Sequence, residues 1–184
     1  MNLTTKNKKL ALSATALAIA AAGTFGVVTA NAANATGTAA PAAAAASGHN
    51  LTISTHLTVA AATKAAQAAL NEAVKENQKV SVAVVDRDGN TLVTLRGDGA
   101  GPQSPESAER KAYTAVSWNA PTSELAKRLA QTPNLKDIPG TLFLAGGAPV
   151  QVKGAPVAAV GVAGAPSGDL DEKFAQAGVA ALGK

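Results

Sequence analysis

Val80-Ser81-Val82-Ala83-Val84-Val85 and Thr91-Leu92-Val93-Thr94-Leu95-Arg96 are two strand-forming runs separated by Asp86-Arg87-Asp88-Gly89-Asn90. β-Branched side chains suit an extended backbone, and the second run alternates apolar with polar residues, the period of a half-buried strand. The five residues between the runs are turn formers: Asp and Asn bond to their own backbone, and glycine takes a positive φ without a steric clash. The stretch predicts an antiparallel hairpin.

On its N-terminal side, Thr58 has the chemistry of a helix N-cap. Val59, Ala62, Ala66, Leu70, Ala73 and Val74 then recur at helical spacing, with Lys64, Asn71, Glu72 and Lys75 opposite, which predicts an amphipathic helix through Glu76. The alternation in Leu51-Thr52-Ile53-Ser54-Thr55 predicts a short edge strand before it. On the C-terminal side, residues 97–102 form a Gly-rich loop, and Ser104 as N-cap with Pro105 in the first turn opens a helix to about Trp118. Thr122 caps a shorter helix to about Gln131, ended by Pro133, Pro139 and Gly140. Thr141-Leu142-Phe143-Leu144, Val150-Gln151-Val152 and residues 156–161 predict a three-strand meander, with turns at Gly146-Gly147-Ala148-Pro149 and Lys153-Gly154. Ser167 and Asp169 start a terminal helix that places Leu170, Phe174, Ala177 and Ala181 on one stripe. Tight turns rather than crossover helices join these strands, so the expected class is α/β of the α+β type, an antiparallel sheet with packed helices.

The N-terminal region reads differently. Lys6, Lys8 and Lys9 precede an apolar run from Leu10 to Val28, and Ala30-Asn31-Ala32 has the small-x-small pattern of a signal-peptidase site. Residues 1–32 are therefore expected to be a secretory signal peptide, and the protein to be extracellular. Residues 33–50, rich in Ala, Thr, Gly, Pro and Ser, are expected to be a flexible linker, which leaves 51–184 as one folded domain.

The 184 residues hold 16 Lys and Arg against 12 Asp and Glu, with 3% aromatic residues and no Cys. Disulfides, thiolate zinc sites and cysteine nucleophiles are excluded. Residues 1–32 carry three lysines and no acid, so the remainder has 13 bases against 12 acids. Such a near-neutral, aromatic-poor chain lacks what phosphate neutralisation and base stacking require, and nucleic acid is not an expected partner. His49 and His56 are the two histidines, and both precede the first long helix; a Ser-His-Asp triad and a His-rich zinc site are not expected. Nor is there a phosphate-cradling loop.

Carboxylates carry more. Glu106 and Glu109 stand three residues apart on one helix and share a face with Arg110 and Tyr113, while Ala108, Ala112 and Ala115 face the core. The pair can grip a hard or borderline cation; alternatively Glu106 complements the helix N-terminus and Glu109 is a solvated surface group. Asp169, Asp171 and Glu172 form a second acidic cluster at a helix start, open to the same two readings. Lys111, Lys127, Arg128, Lys136 and Lys153 read as scattered surface cations.

In chain order, residues 80–90, Ser107-Ala108-Glu109-Arg110-Lys111-Ala112-Tyr113-Thr114-Ala115, Gly146-Gly147-Ala148-Pro149-Val150 and Val160-Gly161-Val162-Ala163-Gly164 resemble the GlcG/HbpS-like family of haem-binding and haem-degrading proteins, over roughly residues 57–184. The resemblance implies a profilin-like domain that assembles into a homo-octamer, binds haem, degrades it slowly and holds iron at surface carboxylates. Together with the export signal, it implies an accessory haem and redox sensor for the extracellular part of a membrane two-component sensor kinase. Thr141, after Pro139-Gly140, matches a haem-contacting threonine, and Glu106-x-x-Glu109 matches an iron-binding motif, with Asp169 and Asp171 as further iron candidates. Haem iron is usually held by His, Met, Cys or Tyr, and of these the expected domain, residues 51–184, offers Tyr113 and the N-terminal His56. A threonine oxygen is a weak ferric ligand, so haem at Thr141 is expected to exchange readily, with Lys111 and Lys136 as partners for the propionates. The sequence shows no distal base or proton donor, and haem degradation is expected to be coupled oxidation driven by peroxide. Two other readings suit the same residues: a non-haem small-molecule or corrinoid binding module of the same fold family, and a purely structural signalling module.

Overall fold

A computed structural model describes residues 44–183, in which residues from Ser47 onward form one compact unit. The expected signal peptide and the first part of the expected linker lie outside the described residues. Among the described residues no helix is long and apolar enough to cross a membrane.

Eight principal elements follow one another: α1 (Val59–Lys75), β1 (Ser81–Asp86), β2 (Thr91–Arg96), α2 (Ser104–Trp118), α3 (Thr122–Arg128), β3 (Gly147–Val152), β4 (Ala155–Ala163) and α4 (Gly168–Ala180). The sheet is antiparallel with strand order β2-β1-β4-β3, so the two hairpins meet along β1 and β4. α1 and α4 cover one face and α2 the other. This layering explains why residues 80–85 are apolar at every position but Ser81. Val82 and Val84 pack with Ala66, Ala69 and Phe174, whereas Val85 meets Ala112 and Ala115 on the opposite side. Every residue of β1 is buried, while edge strand β2 keeps the alternation that was legible in its sequence.

Glycines set the distance between α2 and the sheet. Gly161 of β4 pairs with Gly147 of β3 and Ala83 of β1, which makes a row of minimal side chains. A Cβ on Gly161 would lie 2.0 Å from the Ala108 carbonyl oxygen, and one on Gly147 would lie 2.5 Å from that of Lys111. The helix backbone occupies the space that side chains would fill.

Several expectations are corrected. Leu51–Thr55 forms no strand; Leu51 and Ile53 are exposed, with no sheet edge beside them. Thr141–Leu144 is irregular rather than a strand, because Leu142 N donates to Thr114 Oγ1 at 2.7 Å and Phe143 stacks edge-on against Trp118 at 5.2 Å. Gly147–Pro149, read as part of a turn, belongs to β3, so the meander is a two-strand hairpin. Ser104 lies inside α2, where Gln103 is the cap; its hydroxyl is within 2.8 Å of buried Ser81 Oγ and donates to Gly101 O. Thr122 is likewise helical, following Pro121, and α3 stops at Arg128. In α1 the buried stripe is Ala62, Ala65, Ala66, Ala69 and Ala73, while Val59 and Val74 are exposed. Thr58 and Ser167 do cap α1 and α4, accepting from Ala61 N and Leu170 N.

Candidate functional site

The α2 helix buries Ala108, Ala112 and Ala115 against the sheet, and so turns Glu106, Glu109, Arg110 and Tyr113 outward, as their spacing predicts. Tyr113, the one tyrosine, stands between two loops that approach it through glycines. A Cβ on Gly89, in the β1–β2 turn, would lie 2.9 Å from the ring, and one on Gly140 would lie 3.5 Å from it. Both glycines have positive φ, 88° and 79°, so the chain approaches the ring in a conformation that other residues rarely adopt.

Two contacts fasten the loop around residue 140 to α2, and a third within the helix orients one of them. Arg110 Nη2 donates to Thr141 O at 2.8 Å; Thr114 Oγ1 donates to Arg110 O and accepts from Leu142 N, both at 2.7 Å. Thr141 itself is buried, and its hydroxyl donates to Ile138 O at 2.7 Å. The structure thus brings Thr141 beside the α2 face but turns its hydroxyl into the loop. Between this loop, the β1–β2 turn and α2 lies an open cleft of about 140 Å³, lined by Val85, Gly89, Thr91, Glu109, Arg110, Tyr113 and Gly140.

The candidate iron carboxylates have different surroundings. Glu106 is 78% exposed and lies 3.8 Å from Arg110 Nη1. Glu109 Oε1 accepts from Thr94 Oγ1 on β2 at 2.7 Å. Both share their face with the Arg110 guanidinium, a cation that competes for the same oxygens. Asp169 is exposed in the first turn of α4.

Asp171 is not on the surface. Its Oδ2 lies 2.7 Å from Lys111 Nζ, which also donates to Val162 O, and its Oδ1 accepts from Ala165 N. Burial pushes the Asp171 carboxyl above its ordinary value, against the pull of Lys111. Lys111, read from the sequence as a surface cation and a partner for propionates, is a buried structural group instead. Neighbouring Glu172 is buried too: it accepts from Ser123 N, Ser123 Oγ and Gly146 N. These groups anchor α4 to α2 and α3 and leave Asp171 little capacity for a cation. Lys136 remains exposed, 3.9 Å from Asp137.

Sequence reasoning missed two fixed points of this site: Arg110 as the loop clamp and Thr114 as the relay beneath it. Thr114 lies four residues from Arg110 inside a helix, where back-bonding to the preceding turn is a local signal; its acceptance from Leu142 N depends on a contact 28 residues away.

Residues 57–180 match a protein family described as haem-degrading, HbpS-like. The chain is 77% identical to a crystal structure of HbpS, covering 77% of this chain and all of that one, with a TM-score of 0.76. It is 75% identical to a double glutamate-to-aspartate mutant of HbpS from Streptomyces reticuli, covering 79% of this chain and all of that one, with a TM-score of 0.78. A more distant structure, a complex of PduOC with haem, is 26% identical, covers 69% of this chain and 95% of that one, and has a TM-score of 0.63. With the mixed α+β architecture shared with the HbpS structures and a family match spanning most of its length, the chain belongs to the HbpS-like family.

Proposed function

We propose that this protein is an exported haem-binding protein that receives haem on the face formed by α2, the β1–β2 turn and the loop around Thr141. The observation that carries the ligand is the match of residues 57–180 to a family described as haem-degrading, supported by the likeness to a haem complex. The cleft supports the place. Its donors suit haem: the Tyr113 phenol is an oxygen ligand of a type that ferric haem accepts, and Arg110 is a cation suited to a propionate. Thr141 would reach iron once its hydroxyl left Ile138 O, so the loop must loosen for it to serve. With the threonine oxygen as its ligand, haem would be weakly held and exchangeable.

The bound group would supply the iron that activates peroxide against the haem itself. The chain's own part is to position it: Arg110 and Thr114 fix the loop, and the Gly89 and Gly140 loops hold the Tyr113 ring. Iron set free would pass to Glu106 and Glu109, the one Glu-x-x-Glu pair in the sequence. That spacing matches the two positions changed in the Streptomyces reticuli double mutant. Exposed Asp169 is a weaker iron candidate, and Asp171 drops out because Lys111 occupies it. Exported through the signal in residues 1–32, the oligomer would act on the extracellular part of a membrane sensor kinase.

Hemin titration of residues 33–184, followed by absorbance, tests the reading. Saturable binding with a Soret shift is expected, weakened about tenfold or more in Tyr113→Phe or Thr141→Ala, since a lost ligand costs at least about 1.4 kcal/mol. Absence of a specific spectrum, with cobalamin or an organic acid raising the melting temperature instead, would move the site to a non-haem ligand.

A further inference from the structure

His56, Asp86 and Asp88 come from two separate parts of the chain and meet at the β1–β2 turn. His56 lies in the extended segment two residues before the α1 cap; Asp86 ends β1 and Asp88 is in the turn itself. One ligand atom from each lies within 4.8 Å of the others, and His56 Nε2 is 3.7 Å from Asp88 Oδ2. We propose that these three residues form a binding site for a first-row divalent transition-metal ion.

Imidazole nitrogen with two carboxylates is a mixed N and O donor set, borderline in softness, which suits Fe²⁺, Co²⁺ or Zn²⁺ better than Mg²⁺ or Ca²⁺. Such ions hold their N and O ligands at about 2.0–2.2 Å, so the three atoms need to close by about 1 Å or so. The two that must move can do so: the His56 and Asp88 side chains are 38% and 58% exposed.

The third ligand is already fixed. Asp86 is 7% exposed; its Oδ1 accepts from Asp88 N at 2.9 Å, Asn90 N at 2.8 Å and Asn90 Nδ2 at 3.4 Å, while among the described residues Oδ2 accepts only from Asn90 Nδ2, at 3.1 Å. The turn therefore spends one oxygen of Asp86 on its own backbone and leaves most of the other for a cation. Among the described residues neither Asp86 nor Asp88 is paired with a lysine or arginine. His56, also bonded to Ser54 Oγ, is among the described residues the one cationisable group within 4.0 Å of either carboxylate. A bound ion would neutralise both carboxylates and tie the segment preceding α1 to the hairpin. Gly89 of the same turn forms a wall of the Tyr113 cleft, so the ion would stiffen that wall as well.

The site needs no haem, and its test uses the haem-free full chain after dialysis against a chelator. Co²⁺ titration followed by visible absorbance should show one ion per chain that persists in Glu106→Gln with Glu109→Gln, and that ion should raise the melting temperature. His56→Gln and Asp88→Asn should each weaken binding by at least about tenfold, because a lost ligand costs more than a lost outer partner, worth about 10–100-fold. Melting temperatures measured in chelator should match wild type, which separates lost binding from lost folding. Retained affinity in both variants, or loss of the ion on Glu106→Gln with Glu109→Gln instead, would overturn the assignment.

Discussion

Lys111 sits on α2 with its ammonium buried against Asp171, and two such charges are stable inside a protein only because each has more than the other for company. Val162 O accepts from the lysine and Ala165 N donates to the aspartate, so the ions exchange water for fixed dipoles. Lys111→Met leaves the Asp171 carboxylate buried without its cation and should cost about 3–5 kcal/mol in urea unfolding at neutral pH. Adding Asp171→Leu should recover most of that loss. Burial already holds the Asp171 carboxyl above its ordinary value, and removing Lys111 raises it further. A raised folded-state value favours folding below the unfolded value of about 3.9 and loses that benefit as pH rises, so the Lys111→Met deficit should shrink toward pH 4. A pH-independent deficit below about 1 kcal/mol, the scale of an exposed pair, would show that water screens the two charges. The spacing of Lys111 from Ala108, Ala112 and Ala115 does place it on the buried side of α2. What the sequence lacks is any sign of its partner, 60 residues further on. Asp171 was hidden for the same reason, since an acid in the first turn of a helix is adequately explained by the helix dipole.

The elements that read correctly are those whose determinants are local. The β1–β2 hairpin needs only two β-forming runs and a turn, and α1 needs a stripe and a cap; all lie within about twenty residues. Thr141–Leu144 misled because a short apolar run marks a strand only where a sheet edge is free, and here Thr114 and Trp118 had taken a backbone N–H and the Phe143 ring of the segment. Gly147 misled in the opposite sense. A glycine pair suggests a turn, yet this one lies in β3 so that α2 can rest on the backbone. That reading has an energetic consequence at Gly161, where an added Cβ would fall 2.0 Å from a helix carbonyl. Gly161→Ala must push α2 away from β4, and a loss of about 1–3 kcal/mol is expected by denaturant unfolding, with the upper end favoured because backbone atoms cannot rotate aside. Gly48→Ala, with nothing within 4 Å of the added carbon, should stay within about 0.5 kcal/mol of wild type. Equal stability of the two variants would mean that α2 is not seated on the sheet backbone.

At the scale of the whole molecule, size decides what one chain can do with a haem. The face that holds Tyr113 offers about 140 Å³, whereas pockets that enclose ligands of drug size run to about 300–1,000 Å³. A group as large as haem held there would be only partly covered by this chain. Apolar surface left exposed in this way would favour a second copy as the missing wall, which would connect the expected oligomer to the proposed site. The sequence could supply Tyr113 and Thr141 as candidates, but not the shallowness of the cleft, which depends on how closely the loops of residues 89 and 140 approach the α2 face. If a second copy closes the site, haem affinity should fall when the protein is diluted below the concentration at which the oligomer dissociates, and hemin should shift that dissociation toward the assembled form. Light scattering after size exclusion, with and without hemin across a hundredfold range of protein concentration, measures both effects. Haem binding of unchanged affinity by a species with the mass of one chain would show that a single copy suffices, and would require the cleft to widen around its ligand.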